Sequence, residues 1–598
     1  MDLLGDDRER RGPRLSAAWA SWAAPASSDS SASSDSLASR LLASARWRGV
    51  LAVLAGALPA LAFPAPSLWW FAYVALVPWI LLARSAETGR RAAIDGWLGG
   101  LGFMVAVHHW LLPSLHVFTL VIAALLGLLW APWGWLVRRL LGGRITPGRT
   151  TAALVVLPSA WLMVELVRSW EGLGGPWGLL GSSQWQVAPA LRLMSVGGVW
   201  LVSALIVTMN TAVAALVAAH AARSPGASRT STVPRASGMP RSSAVSGISR
   251  ASVARTLPAT AGLVAVAAVT TSAWVWAPRP EPTGRTMRVA VVQPGVMDGV
   301  GGADKRLARE EALTRGLAGR DLDLVVWGES SVGYDLAERP DIARRIAALS
   351  RDVGADILVN VDARRSDKPG IFKSSVLVGP QGPTGDRYDK MRLVPFGEYV
   401  PARSLLGWAT SVGKAAGEDR RRGERPVVMK VGDGLKVGPL VCFESAFPDM
   451  SRHLTREGAQ LLLAQSSTSS FQSSWAPEQH ASLAAVRAAE TGRPMVHATL
   501  TGVSAVYGAG GERVGAPLGT SASATSTYDI PLAKGVTPYV RLGDWPVHTA
   551  LAVLAVLCAA EGVRSLRGPV KGRLRQPAPE PQEPRARTAH GSPAHPGR

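Results

Sequence analysis

The chain has 598 residues, of which 47% are hydrophobic, and it carries 22 tryptophans and a formal net charge of +21. Its length allows several domains, and its composition is typical of a membrane protein with aromatic side chains at the bilayer interfaces. The arginines cluster in the tails and in short loops beside apolar segments, which indicates contact with anionic lipid head groups. Because no basic helix with base-reading side chains is evident, we expect no nucleic-acid binding.

The N-terminal part of the chain is predicted to be a membrane domain that follows a disordered tail. Residues 1–46 are rich in Ser, Ala and Arg and lack periodicity, so we expect a disordered cytoplasmic tail. Residues 47–220 alternate between apolar segments and short polar loops, which predicts six transmembrane helices. The predicted spans are 49–63, 68–82, 96–112, 117–137, 151–167 and 197–219. The first two are shorter than the ~20 residues that cross a bilayer, so their ends are the least defined.

The second half of the chain is predicted to contain a soluble domain between two further spans. Residues 221–257 are rich in Ser, Arg and Pro without an acidic residue, as is typical of a disordered cytoplasmic linker. A seventh span is predicted at 258–277. Residues 286–533 alternate β-like runs with helical stretches, which predicts an α/β domain. An eighth span at 546–564 leads into a Pro- and Arg-rich tail, residues 565–598, that we also expect to be disordered and cytoplasmic.

The distribution of arginine predicts the orientation in the membrane. Arginines precede the first span and follow the second, fourth, sixth and eighth, whereas the alternate loops are nearly free of them, apart from Arg168 and Arg192. Eight spans with both termini in the cytoplasm satisfy this pattern. We therefore expect a multi-pass plasma-membrane protein whose soluble domain lies outside the cytoplasm and is tethered at both ends.

Cys442 is the only cysteine of the predicted soluble domain and ends a β-like run. The chain's other cysteine, Cys558, lies inside the last apolar span and cannot pair with it. Structural cysteines outside the cytoplasm usually come in pairs. Cys442 is therefore either a buried, inert thiol or a nucleophile.

Glu329 also ends an apolar, β-like run, and Lys390 begins a loop punctuated by Pro and Gly. Because the ends of strands in an α/β sheet project into a common cleft, we expect both residues to lie near Cys442. Glu329 can act as general base and acid, and Lys390 can stabilise a thiolate and an oxyanion. Glu398 would hold the lysine charge in place. Taken singly, such residues are more often surface charges, but their combination with Cys442 favours a catalytic site.

The order Glu329, Lys390 and Cys442, with these surroundings, resembles the nitrilase (carbon–nitrogen hydrolase) superfamily. The segment Val-Pro-Phe-Gly-Glu-Tyr-Val-Pro at 394–401, the eight spans and the segment 537–545 resemble the apolipoprotein N-acyltransferase family, in its actinobacterial form. This resemblance implies a multi-pass α-helical membrane domain of about eight helices and an extracytoplasmic α/β domain built as an α-β-β-α sandwich. Since no metal cluster or nucleotide-binding loop is visible, we expect neither metal nor cofactor.

The resemblance also implies a reaction. Cys442 would take an acyl chain from a phospholipid as a thioester and pass it to the N-terminal amino group of a diacylglyceryl-cysteine in an apolipoprotein. Glu329 and Lys390 would complete the catalytic triad, with Glu398 and Glu444 as supporting carboxylates. The chain departs from the family at three places: at Phe443, where a tyrosine is usual, at residues 294–302, where a tryptophan is usual, and at residues 466–471, where an Asn-Asp-x-Trp-Phe stretch is usual. These departures concern acyl-donor choice and rate more than reaction type.

Some features leave alternatives open. Leu405, Leu406 and Trp408 follow the lysine loop and form either an apolar arm that dips into the bilayer or ordinary core packing. The glycine-rich loop at 174–178 either supports the catalytic domain or simply connects two spans. Two other functions remain as alternatives, a membrane-tethered amidase and a catalytically weak scaffold partner of a polyprenol-phosphate mannosyltransferase. The expected partners are a phospholipid donor, an apolipoprotein acceptor and the membrane, with the mannosyltransferase as partner under the last alternative.

Overall fold

The structure is a computed structural model that describes residues 44–221, 250–297, 302–407 and 417–566. Most of the predicted tails and of the predicted linker lie outside the described residues, as does Trp408. The described chain forms a helical region, then a two-sheet α/β domain, and then a last helix that packs back against the helical region.

Sixteen α-helices occur among the described residues. They are α1 (Ala45–Ala57), α2 (Val77–Arg84), α3 (Gly89–His108), α4 (Leu112–Leu115), α5 (Val117–Gly127), α6 (Ala131–Leu141), α7 (Pro147–Arg168), α8 (Ala188–Ala221), α9 (Arg250–Trp276), α10 (Gly302–Arg315), α11 (Pro340–Val353), α12 (Arg403–Leu406), α13 (Pro448–Arg456), α14 (Ala476–Thr491), α15 (Pro538–Leu542) and α16 (Trp545–Leu566).

Seven helical stretches within the described ranges are long and apolar enough to cross a membrane, by length and composition. They are Ala45–Ala62, Gly89–Leu115, Val117–Leu141, Pro147–Arg168, Ala188–Ala221, Ala254–Trp276 and Trp545–Ser565. The segment Trp69–Arg84, where the second span was predicted, is apolar but shorter. Pro78 lies in the first turn of α2, and a 3₁₀ turn precedes it, because proline cannot donate the hydrogen bond that would extend the helix backwards.

Helix α9 begins earlier than its predicted span. It starts at Arg250, inside the stretch predicted as linker. Residues 250–257 contain neither Gly nor Pro, so nothing in them ends the helix of the seventh span.

Small residues let helix α3 pack closely against its neighbours, as its glycine-rich sequence predicts. A Cβ atom on Gly99 would lie 2.0 Å from the ring of Trp79, and one on Gly96 would lie 2.4 Å from the carbonyl oxygen of Trp130. Trp79, Trp130 and Trp161 are fully buried, with ring centroids 5.5 to 6.4 Å apart. The helical region is therefore built around a tryptophan core.

The α/β domain contains two six-stranded sheets. Their strands are β1 (Glu281–Gln293), β2 (Leu324–Trp327), β3 (Asp356–Arg364), β4 (Ile371–Gly379), β5 (Gly382–Asp389), β6 (Met429–Val431), β7 (Leu435–Val441), β8 (Leu461–Ser466), β9 (Met495–Thr499), β10 (Ser504–Tyr507), β11 (Arg513–Leu518) and β12 (Ala524–Lys534). The strand orders are β12-β1-β2-β3-β4-β5 and β11-β10-β9-β8-β7-β6. Strands β1 to β3 are parallel in the first sheet, and β7 to β9 are parallel in the second.

The two sheets stack face to face between helices. Along β2, Val325 packs into the cluster that contains Ile346 of α11, whereas Val326 packs into the cluster that contains Leu463 of β8. This alternation follows from the two-residue period of a strand, which turns successive side chains to opposite faces. Helices α10 and α11 cover the first sheet, and α13 and α14 cover the second. The expected α-β-β-α sandwich beside a helical membrane region is confirmed.

Candidate active site

The three residues predicted as a triad meet at one edge of the sandwich. Glu329 lies two residues beyond β2, Lys390 directly follows β5, and Cys442 directly follows β7. Two antiparallel pairings separate β5 from β3, which is parallel to β2, so β2 and β5 end on the same side of their sheet. Lys390 Nζ lies 3.2 Å from Glu329 Oε1, and both charged groups lie near enough to Cys442 to act on its thiol. The structure thus brings the three residues together.

Cys442 begins a sharp turn with unusual backbone geometry. Its φ is +52°, and it opens the 3₁₀ turn Cys442–Ala446. A left-handed conformation costs a residue with a Cβ roughly 1–2 kcal/mol, and such strain often marks functional sites. Ser445 Oγ donates to the Cys442 carbonyl oxygen at 2.9 Å, and Nε2 of buried His480 lies 3.1 Å from the same oxygen. These contacts hold the cysteine in its strained turn.

Glu444 ties the cysteine turn to the segment that follows Lys390. Its Oε1 accepts hydrogen bonds from Tyr388 Oη at 2.7 Å and from the backbone N–H groups of Met391 and Arg392 at 2.7 and 3.0 Å. Its Oε2 accepts from the N–H of Val441 at 2.8 Å. The side chain is fully buried, and burial raises the pKa of its carboxyl group. Glu444 therefore sets the register between the strand ends that carry Lys390 and Cys442.

Glu398 braces Lys390 from within the lysine loop. Its Oε1 lies 2.8 Å from Lys390 Nζ, and its Oε2 accepts a hydrogen bond from the N–H of Val394 at 2.9 Å. Burial opposes ionisation, but Lys390 and then Lys373 lower the pKa of Glu398 below its usual range. The expected placement of Glu398 beside the lysine is observed.

A second lysine, which was not predicted from the sequence, lies at the site. Lys373, in β4, places its Nζ 2.8 Å from Glu329 Oε1 and 3.0 Å from Glu398 Oε1. The signal that could have found it is a charged residue inside a strand whose other central residues are buried. No group of three or more His, Cys, Asp or Glu side chains that could hold a metal ion occurs among residues 44–221, 250–297, 302–407 and 417–566. The cations next to Cys442 in the described chain are the two lysines.

The charges of the site determine which group, the base or the nucleophile, carries a proton at rest. Burial raises the pKa of Cys442, and Glu329 raises it further against the two lysines, to about 12. Burial also opposes ionisation of Glu329, but Lys373 and then Lys390 lower its pKa to about 2. The pKa of Lys390 lies above its usual range, because Glu329 and Glu398 outweigh its burial. At neutral pH the site therefore holds a protonated thiol beside an ionised carboxylate and two ammonium groups.

The helical region contacts the cysteine turn directly. A Cβ atom on Gly175 would lie 2.6 Å from the ring of Phe443, which is buried and packs edge-on against Phe447 at 4.9 Å between centroids. Trp177 Nε1 donates to Gln479 Oε1 of α14 at 2.8 Å. The glycine-rich loop thus packs directly against the catalytic domain. At this contact Phe443 offers an aromatic ring but, unlike a tyrosine, no hydroxyl group.

The stretch that departs from the family lies between the site and the helical region. The carbonyl oxygen of Ser466 accepts from the N–H of Glu329 at 3.2 Å, and the ring of Phe471 lies edge-on to Trp110 with centroids 4.9 Å apart. The predicted apolar arm stays a prediction. Leu405 and Leu406 lie at the end of the short helix α12, where only the backbone is described, and Trp408 lies outside the described residues.

An α-β-β-α sandwich with glutamate, lysine and cysteine at adjoining strand ends defines the carbon–nitrogen hydrolase class. The carbon–nitrogen hydrolase family matches residues 288–536, and the apolipoprotein N-acyltransferase N-terminal domain matches residues 55–212. Apolipoprotein N-acyltransferase of Azotobacter vinelandii is 30% identical over 528 residues, covering 86% of this chain and 94% of that protein. The same enzyme of Geobacter metallireducens is 29% identical over 531 residues, with coverages of 85% and 94%.

The chain belongs to the apolipoprotein N-acyltransferase family. It is thus an enzyme that combines apolar helices with a nitrilase-type domain. The solved structure of an amidase from Nesterenkonia sp. is 20% identical, with a TM-score of 0.31 and coverages of 46% of this chain and 98% of the amidase.

Proposed function

We propose that this protein transfers a fatty acyl chain from a membrane phospholipid, through a thioester on Cys442, to the N-terminal amino group of a diacylglyceryl-cysteine in apolipoproteins. The observation that carries the proposal is the convergence of Glu329, Lys390 and Cys442 at one edge of the sandwich. Family membership supports a lipid donor and an apolipoprotein acceptor in general terms.

In the first half-reaction, Cys442 Sγ attacks the ester carbonyl carbon of the phospholipid. Because the thiol is protonated and Glu329 is ionised at neutral pH, the proton passes to Glu329 as the C–S bond forms. Lys390 and the N–H of Phe443 stabilise the tetrahedral oxyanion, a contribution typically worth roughly 3–4 kcal/mol of barrier per donor. When the C–O bond breaks, Glu329 returns the proton to the leaving oxygen, and a lysophospholipid departs.

In the second half-reaction, the acceptor's neutral α-amino group attacks the thioester carbonyl. Glu329 takes a proton from the nitrogen as the C–N bond forms, and the C–S bond then breaks. The departing thiolate of Cys442 recovers that proton from Glu329. The amide product leaves, and the resting thiol and carboxylate are restored.

The packing of the helical region favours transfer between lipids over simple hydrolysis. Gly175 and Trp177 contact Phe443 and Gln479 beside the cysteine turn, so the nucleophile lies next to apolar helices. A water-soluble amide substrate would need no such neighbour. A labelling experiment distinguishes this acyl transfer from the amidase and scaffold alternatives.

We further propose that the catalytic domain faces away from the cytoplasm, with both chain termini inside. Arginines at the ends of α2 and α6, namely Arg84, Arg138 and Arg139, support this orientation by the positive-inside rule. The diacylglyceryl-cysteine of an exported lipoprotein would then meet Cys442 at the outer leaflet.

The test is capture of the thioester in phospholipid vesicles whose lipids carry a labelled acyl chain. We expect the label to become bound to the protein, to be released by neutral hydroxylamine, and to move to a diacylglyceryl-cysteine peptide when this acceptor is added. Cys442→Ala should abolish the labelling. Cys558→Ala is the matched control, because the only other cysteine lies exposed on α16 and should be dispensable.

Three results would contradict the proposal. Labelling that persists in Cys442→Ala would remove the nucleophile from the mechanism. Release of free fatty acid at the same rate with and without acceptor peptide would identify a hydrolase instead. Full activity of a bound glycosyltransferase together with absent labelling would point to the scaffold alternative.

A further inference from the structure

Lys373 gives the site a second cation that the triad does not include. Its Nζ lies 2.8 Å from Glu329 Oε1, 3.0 Å from Glu398 Oε1 and 3.9 Å from Asp362 Oδ2. Lys390 contacts the same two glutamate oxygens, at 3.2 and 2.8 Å. Two ammonium groups and the carboxylates of Glu329 and Glu398 therefore alternate in one cluster, and each glutamate Oε1 is shared by both lysines. Asp362 lies at the edge of this cluster, where it also pairs with Arg420 at 3.3 Å.

The cluster is largely closed to water, so its charges act on one another strongly. The side chains of Glu329 and Glu398 are 4% and 6% exposed, and those of Lys390 and Lys373 are 0% and 13% exposed. With Lys390 alone, two buried carboxylates would share one cation, and like charges in such a place favour protonation of one of them. Lys373 balances the pair, and its field lowers the pKa of Glu329 more than the field of Lys390 does.

The positive charge of Lys373 also affects the stability of the negative charge that develops during the reaction. Attack by Cys442 creates an oxyanion close to Glu398 and Glu329, and an unbalanced carboxylate there would oppose it. Lys373 removes that opposition while Lys390 remains beside the reacting atoms. A lysine on β4, a strand that carries no member of the triad, thus completes the charge arrangement.

We propose that Lys373 is a positioning residue that holds Glu329 ionised and centred between two ammonium groups, where it can accept the proton of Cys442. This inference rests on the proposed function. Lys373 acts through Glu329 and takes no part in bond making or breaking.

The test is the pH dependence of thioester formation in single turnover, in vesicles, for Lys373→Met and Lys373→Gln. Glu329 works as a base only when ionised, and loss of the cation raises its pKa, so the acid limb of the rate profile should move to higher pH by about one unit or more. At pH 7, well above that limb, Glu329 stays ionised, so the rate there should change far less than the rate on the acid limb. Lys373→Arg, which keeps the charge, should return the acid limb to near its original position.

The controls separate this inference from a structural role and from the proposed function. Lys368→Met removes an exposed lysine that pairs with Glu424, and it should leave the profile unchanged. A rate that falls equally at every pH, or an arginine variant no better than the neutral ones, would overturn the inference. Absence of thioester in the unmodified protein would instead overturn the proposed function. The glutamine variant keeps a hydrogen-bond donor without the charge, so the test does not depend on one substitution folding.

Discussion

At the scale of single residues, the site depends on a few buried polar side chains that fix loops rather than react. Glu444 is the clearest, since four donors from two separate segments converge on its two oxygens. A buried carboxylate without those donors would be costly, whereas with them it fixes the distance between Lys390 and Cys442. For the geometry of the site, the carboxylate group of residue 444 therefore matters more than the volume of its side chain.

We predict that Glu444→Gln lowers both activity and stability. The amide NH₂ would face an N–H donor, either at Val441 or at Met391, and an unsatisfied buried donor costs about 1–3 kcal/mol. The free energy of unfolding should fall by about that amount, and thioester formation should slow roughly tenfold or more as Lys390 and Cys442 lose register. Thermal unfolding in detergent and single-turnover labelling measure the two effects. Glu457→Gln, at an exposed position after α13, should change neither.

At the scale of elements, the kink in helix α8 decides how the catalytic domain docks. The helix departs from helical geometry at Gly197 and Gly198, where Gly198 has φ +66° and ψ −175°, a region open in practice only to glycine. Beyond the kink, the N–H of Val199 donates to Glu490 Oε1 of α14 at 2.8 Å. The bend therefore joins a membrane helix to the helix that also carries Gln479 and His480 to the site.

We predict that Gly198→Ala destabilises the protein far more than an alanine elsewhere in the helical region. A Cβ atom at 198 would lie 2.4 Å from the ring of Tyr539, and the backbone conformation disfavours any side chain, so a loss of roughly 2 kcal/mol or more is expected. The midpoint of thermal unfolding in detergent is the measurement. Gly148→Ala, in the first turn of α7 with open space around it, is the control. Equal midpoints for the two variants would refute the role of the kink.

At the scale of the whole molecule, Asp544 connects both regions of the protein. Arg452 of α13 donates to its two oxygens at 2.5 and 2.8 Å. Trp200 Nε1 of α8 and the hydroxyl of Tyr539 donate to Oδ1 at 3.0 and 2.6 Å. Arg452 and Tyr539 hold the pKa of Asp544 below its usual range against the effect of burial, so the contact is ionic at neutral pH. One carboxylate thus links the sandwich, a membrane helix and the start of the last span.

We predict that Asp544→Asn loosens this junction. Arg452 would keep its buried charge without an ionic partner, and a hydrogen bond to a charged group is worth about 1.5–3 kcal/mol. We expect faster limited proteolysis between the two regions and a lower unfolding midpoint, with thioester formation reduced as docking weakens. Asp529→Asn, which breaks an exposed pair with Arg288, should shift the midpoint little, because water and salt screen the attraction between exposed charges. Asp544→Asn with an unchanged cleavage rate would contradict the assigned role.

The local sequence was sufficient for the positions of most elements and for three residues of the site. Hydropathy predicted where the apolar helices lie, because burial in a lipid-like environment depends on the composition of each segment. Glu329 and Cys442 were found because a polar residue that ends an apolar strand is visible along the chain, and Lys390 was found because it begins a loop punctuated by Pro and Gly. The family resemblance, now confirmed, added Glu444 and agreed with the supporting role that the lysine loop had already indicated for Glu398.

The tertiary structure decided which distant groups share the site and how the two regions join. Lys373 was missed because its role depends on the register of β4 against β3 and on which sheet face its side chain takes, neither of which is encoded locally. The contact between Glu490 and Val199 joins residues far apart in the chain and exists only because α8 bends. Hydropathy and periodicity depend on residues that are near one another in the sequence, so the sequence alone determined the elements and the three residues of the triad. Charge balance and docking arise from non-local contacts, and only the folded chain defined them.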